Sequence, residues 1–534
     1  MFLDHIVSSG EVPYLPVLYV FLTISFIYFL FFHEWELYTG IPEVKMDGDG
    51  GMKLYKAKPD IYLHGKEIVE RGLKQFRTVQ GPRVILPNRF ADEVRNNPHL
   101  DFNNAIASDF FLTYPGFEPF YDEGDLTATV VRTRLTQSLN YITEDLANET
   151  VAAFGDIFPD SEGKSLRQRT CCHFLFVSLV VFLTEDANII AKEWTEVALK
   201  PKLLDLISRI SARVFIGQEL CNNKEWLEIT KRYTIDSFVA AQTLRSWPAF
   251  TRPFVHWFLP ECRKIRQEMS DARRIIQPVL DERRERNRKA REAGKPPAKV
   301  ADAVGWMDDV ANSYDYDAAA AQIGLSLAAI HTTTMSLCGI FYDLMTHPDY
   351  IECLRNEVRA VLGQDGWKKT SLYQLRLMDS LMKESQRHHL PDFVSMQRIV
   401  ESPVKLSDGT VIPKGARMAV TNEKLRDPTI FPDPYGFQGR RYLDMRQQPG
   451  SENRWQFVTT SPEHLTFGHG KHACPGRFFA SNEVKVALSH LLMMYDWKMA
   501  EDDDGTPHIE DFDINPEATI MMRKRQENMP CFNL

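Results

Sequence analysis

The spacing of apolar and polar positions changes along the chain, and the changes mark out its regions. From about 125 to 360 apolar residues recur every three or four positions, as in PKLLDLISRISARVF and YIECLRNEVRAVL, the spacing of helices with one buried face. Around 396–420 (MQRIVESPVKLSDGTVIPKGARMAV) the period falls to two and Asp408-Gly409 offers a hairpin turn, which predicts a small β element. Residues 82–97 (PRVILPNRFADEVRNN) read as a strand, a Pro-Asn turn and a helix. The charged run 281–302 (DERRERNRKAREAGKPPAKVAD) reads as a solvated helix end and a surface loop rather than a linker, because helical periodicity resumes straight after it. Residues 428–466 have no clear period, and an irregular stretch of that length usually serves a function.

The run 12–32 (VPYLPVLYVFLTISFIYFLFF) is uncharged throughout, and its 21 residues match the roughly 20 that cross a bilayer as a helix. It lacks the basic start and small-residue cleavage site of a signal peptide. No Lys or Arg precedes it while Lys45, Lys53, Lys56 and Lys58 follow, so the positive-inside bias places the body of the protein in the cytosol. The expected organisation is a lumenal tail over 1–11, a single-pass anchor over 12–32, a Gly- and Lys-rich tether over 33–60 and one globular body over 61–534. The endoplasmic reticulum is the natural membrane for such an anchor. The sequon Asn148-Glu149-Thr150 then faces the cytosol and is expected to stay unmodified.

Composition narrows the class without changing this map. With 44% hydrophobic and 25% charged residues the chain is an ordinary globular protein. A net charge of −9 argues against nucleic acid as a partner. The 534 residues would allow three or four domains at about 150 residues each, but no linker divides the body. The eight cysteines form no CxxC pair and no zinc-spaced cluster, which suits a reducing compartment better than a disulfide framework.

One cysteine stands in a setting that suggests chemistry. Residues 467–477 read Phe-Gly-His-Gly-Lys-His-Ala-Cys-Pro-Gly-Arg. If Cys474 ligates the metal of a flat macrocycle, Gly468 and Gly470 would let the backbone turn tightly beneath it. Cys474-Pro475-Gly476 then opens a helix, with Pro475 expected in its first turn, and the positive helix end favours an anionic sulfur. Gly476 permits close approach of the macrocycle, and Phe467 would shield the sulfur from water. A buried structural cysteine at a helix start is the plain alternative, and it leaves the surrounding Phe, Gly and Pro unexplained.

This loop resembles the cysteine loop of the cytochrome P450 family, F-x-x-G-x-R-x-C-x-G, with His472 in place of the arginine that holds a haem propionate. A histidine is charged only below a pKa near 6.5, so that clamp is expected to be weaker and pH-sensitive. The resemblance covers roughly 60–525 and implies a mainly α fold with small β-sheets, one large haem domain behind an N-terminal transmembrane helix. It implies haem b with Cys474 as axial thiolate, which favours O–O cleavage. Glu384 and Arg387, three apart on one helix face, would form a buried trio with Arg441 of FQGRRY, where Gly439 replaces the usual Pro. The other E-x-x-R matches, Glu352/Arg355 and Glu285/Arg288, read as surface pairs. The segment 327–334 (LAAIHTTT) resembles the oxygen-activation helix: Thr332 would hold dioxygen and relay protons, and His331 stands where an acid is usual. Arg398 and Arg134 are the further candidates for propionate contacts.

The implied activity is insertion of one atom of O2 into a lipophilic small molecule, with electrons from NADPH through a membrane-bound reductase docking near Lys471 and Arg477. The wording of the cysteine loop is similar to that of fungal members that decorate terpenoids, polyketides or alkaloids. Two other readings stay open: a reductase-independent isomerase or dehydratase, and a catalytically silent anchored haem protein.

Overall fold

Among the described residues one helix is long and apolar enough to cross a membrane, the 29-residue Ala318–Thr346, and it lies in the middle of the fold with 56% of its most apolar stretch buried. A helix that is apolar on nearly every face must be covered by protein or lipid, and here the cover is other helices. The computed structural model describes residues 19–23, 74–78, 81–121, 123–158, 194–296, 301–311, 316–390, 392–500 and 518–525. Of the expected anchor only 19–23 falls within that set, as a helical turn in which the Thr23 hydroxyl donates to the Tyr19 carbonyl at 2.7 Å. The rest of 12–32, the tail over 1–11 and the tether over 33–60 lie outside the described residues.

The helices that matter for the site are α1 (Asn103–Phe110), α2 (Thr136–Ile157), α3 (Leu199–Phe215), α4 (Lys224–Arg245), α5 (Pro260–Glu292), α6 (Ala318–Thr346), α7 (Asp349–Asp365), α8 (Arg376–His388), α9 (Arg441–Arg446) and α10 (Arg477–Met494). Their starts are legible in the chain. Asn223 caps α4 by accepting from the Trp226 amide, Asp317 caps α6 by accepting from Ala320, and Pro260 opens α5. α6 packs against α3, α4, α5, α8 and α10, so most of the core is built around it. Leu337, Phe341 and Leu344 on α6 and Leu488, Leu491 and Leu492 on α10 are fully buried, each contributing roughly 1.5–3 kcal/mol.

The β element is where the change of period placed it. The strands are β1 (Lys74–Thr78), β2 (Gly81–Leu86), β3 (Leu100–Asp101), β4 (Thr195–Ala198), β5 (Val394–Val400), β6 (Val404–Lys405), β7 (Val411–Ile412), β8 (Arg417–Thr421), β9 (Tyr495–Met499) and β10 (Thr519–Lys524). They form a five-stranded sheet in the order β1-β2-β8-β5-β3, a three-stranded sheet β4-β10-β9 and the hairpin β6-β7. The hairpin turns at Gly409, whose φ of 90° suits glycine. β5 pairs with β8 on both sides of a bulge between Ser395 and Arg398, where Met396 takes a φ of 53° although it is not glycine. The irregular stretch 428–466 contains one short helix, α9, and otherwise wraps the core as turns.

Two readings of local sequence need correction. Pro475 precedes α10 rather than entering its first turn, and Gly476 is the residue at the helix start. Arg355, read as half of a surface pair, is buried: its guanidinium donates to the carbonyls of Leu492 and Tyr495 and to Asp496, tying α7 to the C-terminal end of α10. An E-x-x-R spacing alone cannot distinguish a surface pair from an arginine that satisfies the open carbonyls of a neighbouring helix. Glu285 and Arg288 are exposed, as expected.

Candidate active site around Cys474

The loop that carries Cys474 is fixed by short-range bonds. The Cys474 amide donates to the Phe467 carbonyl at 2.7 Å, Gly468 to Leu465 at 2.7 Å and Ala473 to Gly470 at 3.0 Å. Gly468 and Gly470 have φ of 68° and 76°, and a Cβ on Gly470 would stand 2.6 Å from the Cβ of Arg95, so no other residue fits there. The loop is also held from outside. Asn96 accepts from the Lys471 amide at 2.8 Å, Ser395 of β5 donates to the Leu465 carbonyl at 2.8 Å, and the Arg477 guanidinium donates to the Cys474 carbonyl at 2.7 Å.

Further back, Glu384 and Arg387 on α8 pair through two bonds of 2.8 and 2.9 Å with both side chains fully buried. Arg441 joins through its Nε at 3.0 Å. The two arginines then bind backbone carbonyls of the irregular stretch, Arg387 at Leu425 and Pro434 and Arg441 at Pro432, Asp433 and Gly436. Burial would raise the Glu384 carboxyl, but Arg387, His388 and Arg441 overcome it and hold it at about 2. A second buried group does parallel work and had no sequence signature: Asp379 accepts from Lys485 on α10 at 2.8 Å and from the Phe457 amide at 2.9 Å.

Cys474 lines a cavity of about 290 Å³ together with Ala328, Ala329, Thr332 and Thr333 of α6. Phe467 lines it and meets Phe457 edge-on, with ring centroids 5.3 Å apart. Gly476 opens into it: a Cβ there would find its nearest neighbour, Val131, only at 3.9 Å. Burial pushes the Cys474 thiol up, and the amides of Gly476 and Arg477 pull it down.

The sequence profile of the cytochrome P450 family matches residues 157–525. The chain belongs to the cytochrome P450 family. It is 39% identical to the cytochrome P450 monooxygenase hepE of Aspergillus oryzae, over 92% of this chain and 87% of that one. It is likewise 39% identical to cytochrome P450 monooxygenase 1 of Gibberella fujikuroi, over 85% and 99%. It is 40% identical to the monooxygenase adrA of Penicillium rubens, over 86% and 85%. A retinoic-acid-bound cyanobacterial CYP120A1 shares the fold, with a TM-score of 0.55 at 15% identity over 86% of this chain and 94% of that one. The protein is thus a P450 monooxygenase of the fungal secondary-metabolism type, and the family implies a haem-thiolate centre.

The residues around the cavity of this P450 fit a haem. Cys474 would supply the sulfur, Gly476 would leave room for a flat ring, and Arg398 on β5 has a buried Nη2 with no hydrogen-bond partner among the described residues. The other Arg398 contacts are weak substitutes for an anion: Nη1 donates to the Gln397 carbonyl at 2.7 Å and the guanidinium covers the Phe102 ring at 5.5 Å. Burial lowers Arg398 to about 10 and Asp101 only partly offsets it, so a carboxylate here would gain a strong charge-assisted bond. Replacing Arg398 by Gln is expected to weaken haem retention about 10–100-fold, read as the haem-to-protein ratio after dialysis against a haem-binding scavenger.

His472 stands beside Arg398, its ring centroid 6.0 Å from that of Phe102. Burial lowers its pKa, and the charges of Arg398, Lys471 and Arg132 lower it further, so at neutral pH it is a neutral donor. Arg134 is not brought to this cluster: it is exposed and makes no hydrogen bond or ion pair among the described residues. The arginine whose charge reaches His472 and Arg477 is Arg132, two residues earlier in the π-helical turn Val131–Leu135. Thr332 faces the cavity, with its hydroxyl donating to the Ala328 carbonyl at 2.8 Å. His331 is turned away from it. Its Nε2 lies 2.9 Å from the Lys231 carbonyl on α4 and the ring is absent from the cavity wall. Burial lowers its pKa, so the imidazole donates that hydrogen bond as a neutral strut between α6 and α4.

Proposed function

We propose that this P450 is a membrane-anchored monooxygenase that binds haem b through Cys474, takes electrons from an NADPH-dependent reductase and oxidises a lipophilic secondary metabolite of the terpenoid, polyketide or alkaloid kind. The observation that carries the reading is that Cys474 and Thr332 line the same cavity, whose other walls are apolar side chains such as Leu135, Phe215, Leu325 and Phe479. When bound, the haem supplies the activation of O2, helped by electron donation from the thiolate. Cys474 and Phe467 hold and shield the sulfur side, and Arg398 and His472 bind propionate, with Arg132 the better placed of the two early arginines. Thr332 lines the cavity with its hydroxyl donating to Ala328, which leaves the oxygen able to accept a proton there.

Two features support the membrane and reductase parts. The connection between α4 and α5 exposes Trp247, Phe250, Phe254, Trp257 and Phe258, an aromatic set suited to lipid at the bilayer interface and continuous with the role proposed for 12–32. On the sulfur side Lys471 and Arg132 are exposed, giving an acidic electron donor a basic surface, while Arg477 is occupied in bracing the loop.

The reading is tested in membranes that contain NADPH-cytochrome reductase. Lipophilic candidates that enter the cavity should shift the haem spectrum and raise NADPH-dependent oxygen uptake; absence of any NADPH-dependent uptake across such a panel favours a silent haem protein. Thr332→Ala should retain haem yet release peroxide, with product per NADPH falling about tenfold or more. Unchanged coupling in that variant removes Thr332 from the proton path.

A further inference from the structure

Glu483 on α10 and Glu268 on α5 are buried glutamates without an ion pair among the described residues. Glu483 has a hydroxyl for a partner, Ser211 at 2.5 Å. Glu268 has another carboxyl. It faces Asp236 of α4 where the two helices pack, and its Oε2 is buried with no hydrogen-bond partner among the described residues. Asp236 is paired at 2.7 Å with Lys264, one turn before Glu268 on α5. Two carboxyl oxygens in contact repel unless one holds a proton, so this arrangement requires a proton between them. The charged groups acting on Glu268 are Asp236 and Arg232 of α4 and Lys264 of its own helix. Tyr233 of α4, beside them, feels Glu268 together with Glu118 and Arg273. Burial first and Asp236 second push the Glu268 carboxyl up to about 8, and Lys264 and Arg232 offset only part of that.

One turn back along each helix, α4 and α5 both hold the same glycine. Tyr233, three residues before Asp236, is fully buried and donates to the Gly116 carbonyl at 2.5 Å. Ile265, three residues before Glu268, lies so close that a Cβ on Gly116 would stand 2.9 Å from it, and the φ of 100° at Gly116 also calls for glycine. Gly116 begins the segment 116–121, whose Pro119 and Tyr121 line the cavity. The Pro119 carbonyl rests on α6, where it would stand 2.6 Å from a Cβ on Gly324. Phe238, further along α4, meets Phe110 and Phe120 edge-on with centroids 4.8 and 6.3 Å away. We propose that the proton shared by Glu268 and Asp236 is a catch that keeps α4 and α5 closed on Gly116, and with it the segment 116–121 over the cavity. Loss of that proton to solvent water sets two carboxylates against each other between the helices and loosens their hold on Gly116. No electron moves in this step. A carboxyl raised above its free value of 4.5 gives its stability in full below pH 4.5 and has lost it once pH passes about 8, so alkali opens the catch.

The test uses the full-length, haem-loaded protein and carbon monoxide, a cavity probe that does not itself titrate. After flash photolysis, bimolecular CO rebinding should quicken about fivefold between pH 7 and 9, with its midpoint near pH 8. Amide hydrogen exchange in 116–121, corrected for the base-catalysed rate of free amides, should quicken over the same interval. Glu268→Gln keeps a donor to Asp236 at every pH and should rebind CO slowly at pH 7 and 9 alike. Tyr233→Phe releases Gly116 without touching the acids and should rebind CO fast at both. These opposite directions separate the catch from a general loss of stability, and Tyr233→Phe decides the point by itself should the Gln variant fold poorly. A flat wild-type rate between pH 7 and 9 overturns the proposal. So does a step that survives in Glu268→Gln, which would belong to another acid such as Glu483, likewise raised to about 8. A Tyr233→Phe protein as slow at pH 7 as the wild type overturns it too. The inference rests on the haem reading of the cavity only through its optical probe. A protein without the thiolate CO spectrum overturns that reading, while amide exchange in 116–121 still decides the catch.

Discussion

Cys474→Ser protein is expected to fold and to lose the thiolate signature of its reduced, CO-bound spectrum. The loop does not depend on the sulfur for its shape: the bonds from Cys474 N to Phe467 and from Arg477 to the Cys474 carbonyl are backbone contacts that serine keeps. What serine lacks is the soft, anionic donor, and an alcohol has too high a pKa to replace it. Removing a mere supporting partner of a metal ligand typically costs 10–100-fold in affinity or activity, so removal of the ligand itself should exceed about 100-fold in NADPH-dependent oxidation. The measurement is the CO difference spectrum beside circular dichroism of the same sample. A variant with native circular dichroism and an unchanged CO spectrum would remove Cys474 from the iron.

The second large effect is expected at Arg387. Arg387→Met keeps the volume and deletes the charge, leaving Glu384 buried with Arg441 as its one remaining arginine and the Leu425 carbonyl without its arginine donor, while Pro434 keeps only Arg426. Breaking a buried pair from one side costs about 3–5 kcal/mol. The trio also sets an acid limit. The Glu384 carboxyl sits at about 2 in the fold against 4.5 as a free group, so its folded pKa is depressed. Stability from that shift is present above pH 4.5 and is lost as pH falls towards 2, about 3 kcal/mol in all. Urea unfolding at pH 7 should show the loss directly. Between pH 4.5 and 2 the Arg387→Met protein should lose less further stability than the wild type, because less of the shift remains to be lost. Equal acid slopes in the two proteins would show that Arg387 is not what holds the carboxyl down.

Much of this was readable in the chain, and what was not has a physical cause. The cysteine loop declares itself because glycines, a phenylalanine and a proline at fixed offsets answer separate geometric needs, and Gly470 against Arg95 shows how little else would fit. Glu384, Arg387 and Arg441 were legible only with the family pattern in hand, since Glu352 and Arg355 share the spacing and do something else. The choice between Arg132 and Arg134 depends on a π-helical turn, whose wider winding alters which side of the helix each residue occupies and leaves no mark in a periodicity read at 3.6. His331 lies on α6, as the pattern of 327–334 implies, but whether its ring points to a cavity or to a neighbouring carbonyl depends on α4, one hundred residues away. Glu483 has a signal in the chain, as the one acid in the stretch FFASNEVKVALSHLLMM, but that its helix is buried almost all round is set by the neighbours it packs against.

The bulge at Met396 has a consequence for anyone who would redesign the protein. Deleting one residue between Ser395 and Arg398 would restore an even ladder with β8 and relieve a backbone that Met396 holds at positive φ. Because neighbouring strand residues face opposite ways, the same deletion would change the face on which one side of the strand presents its side chains. Either Ser395 would leave the Leu465 carbonyl or Arg398 would leave its place beside Phe102 and His472. A sheet optimised for stability would therefore be a poorer holder of cofactor, and the most strained residue of β5 is the one that an automated repair of this fold should be told to leave alone.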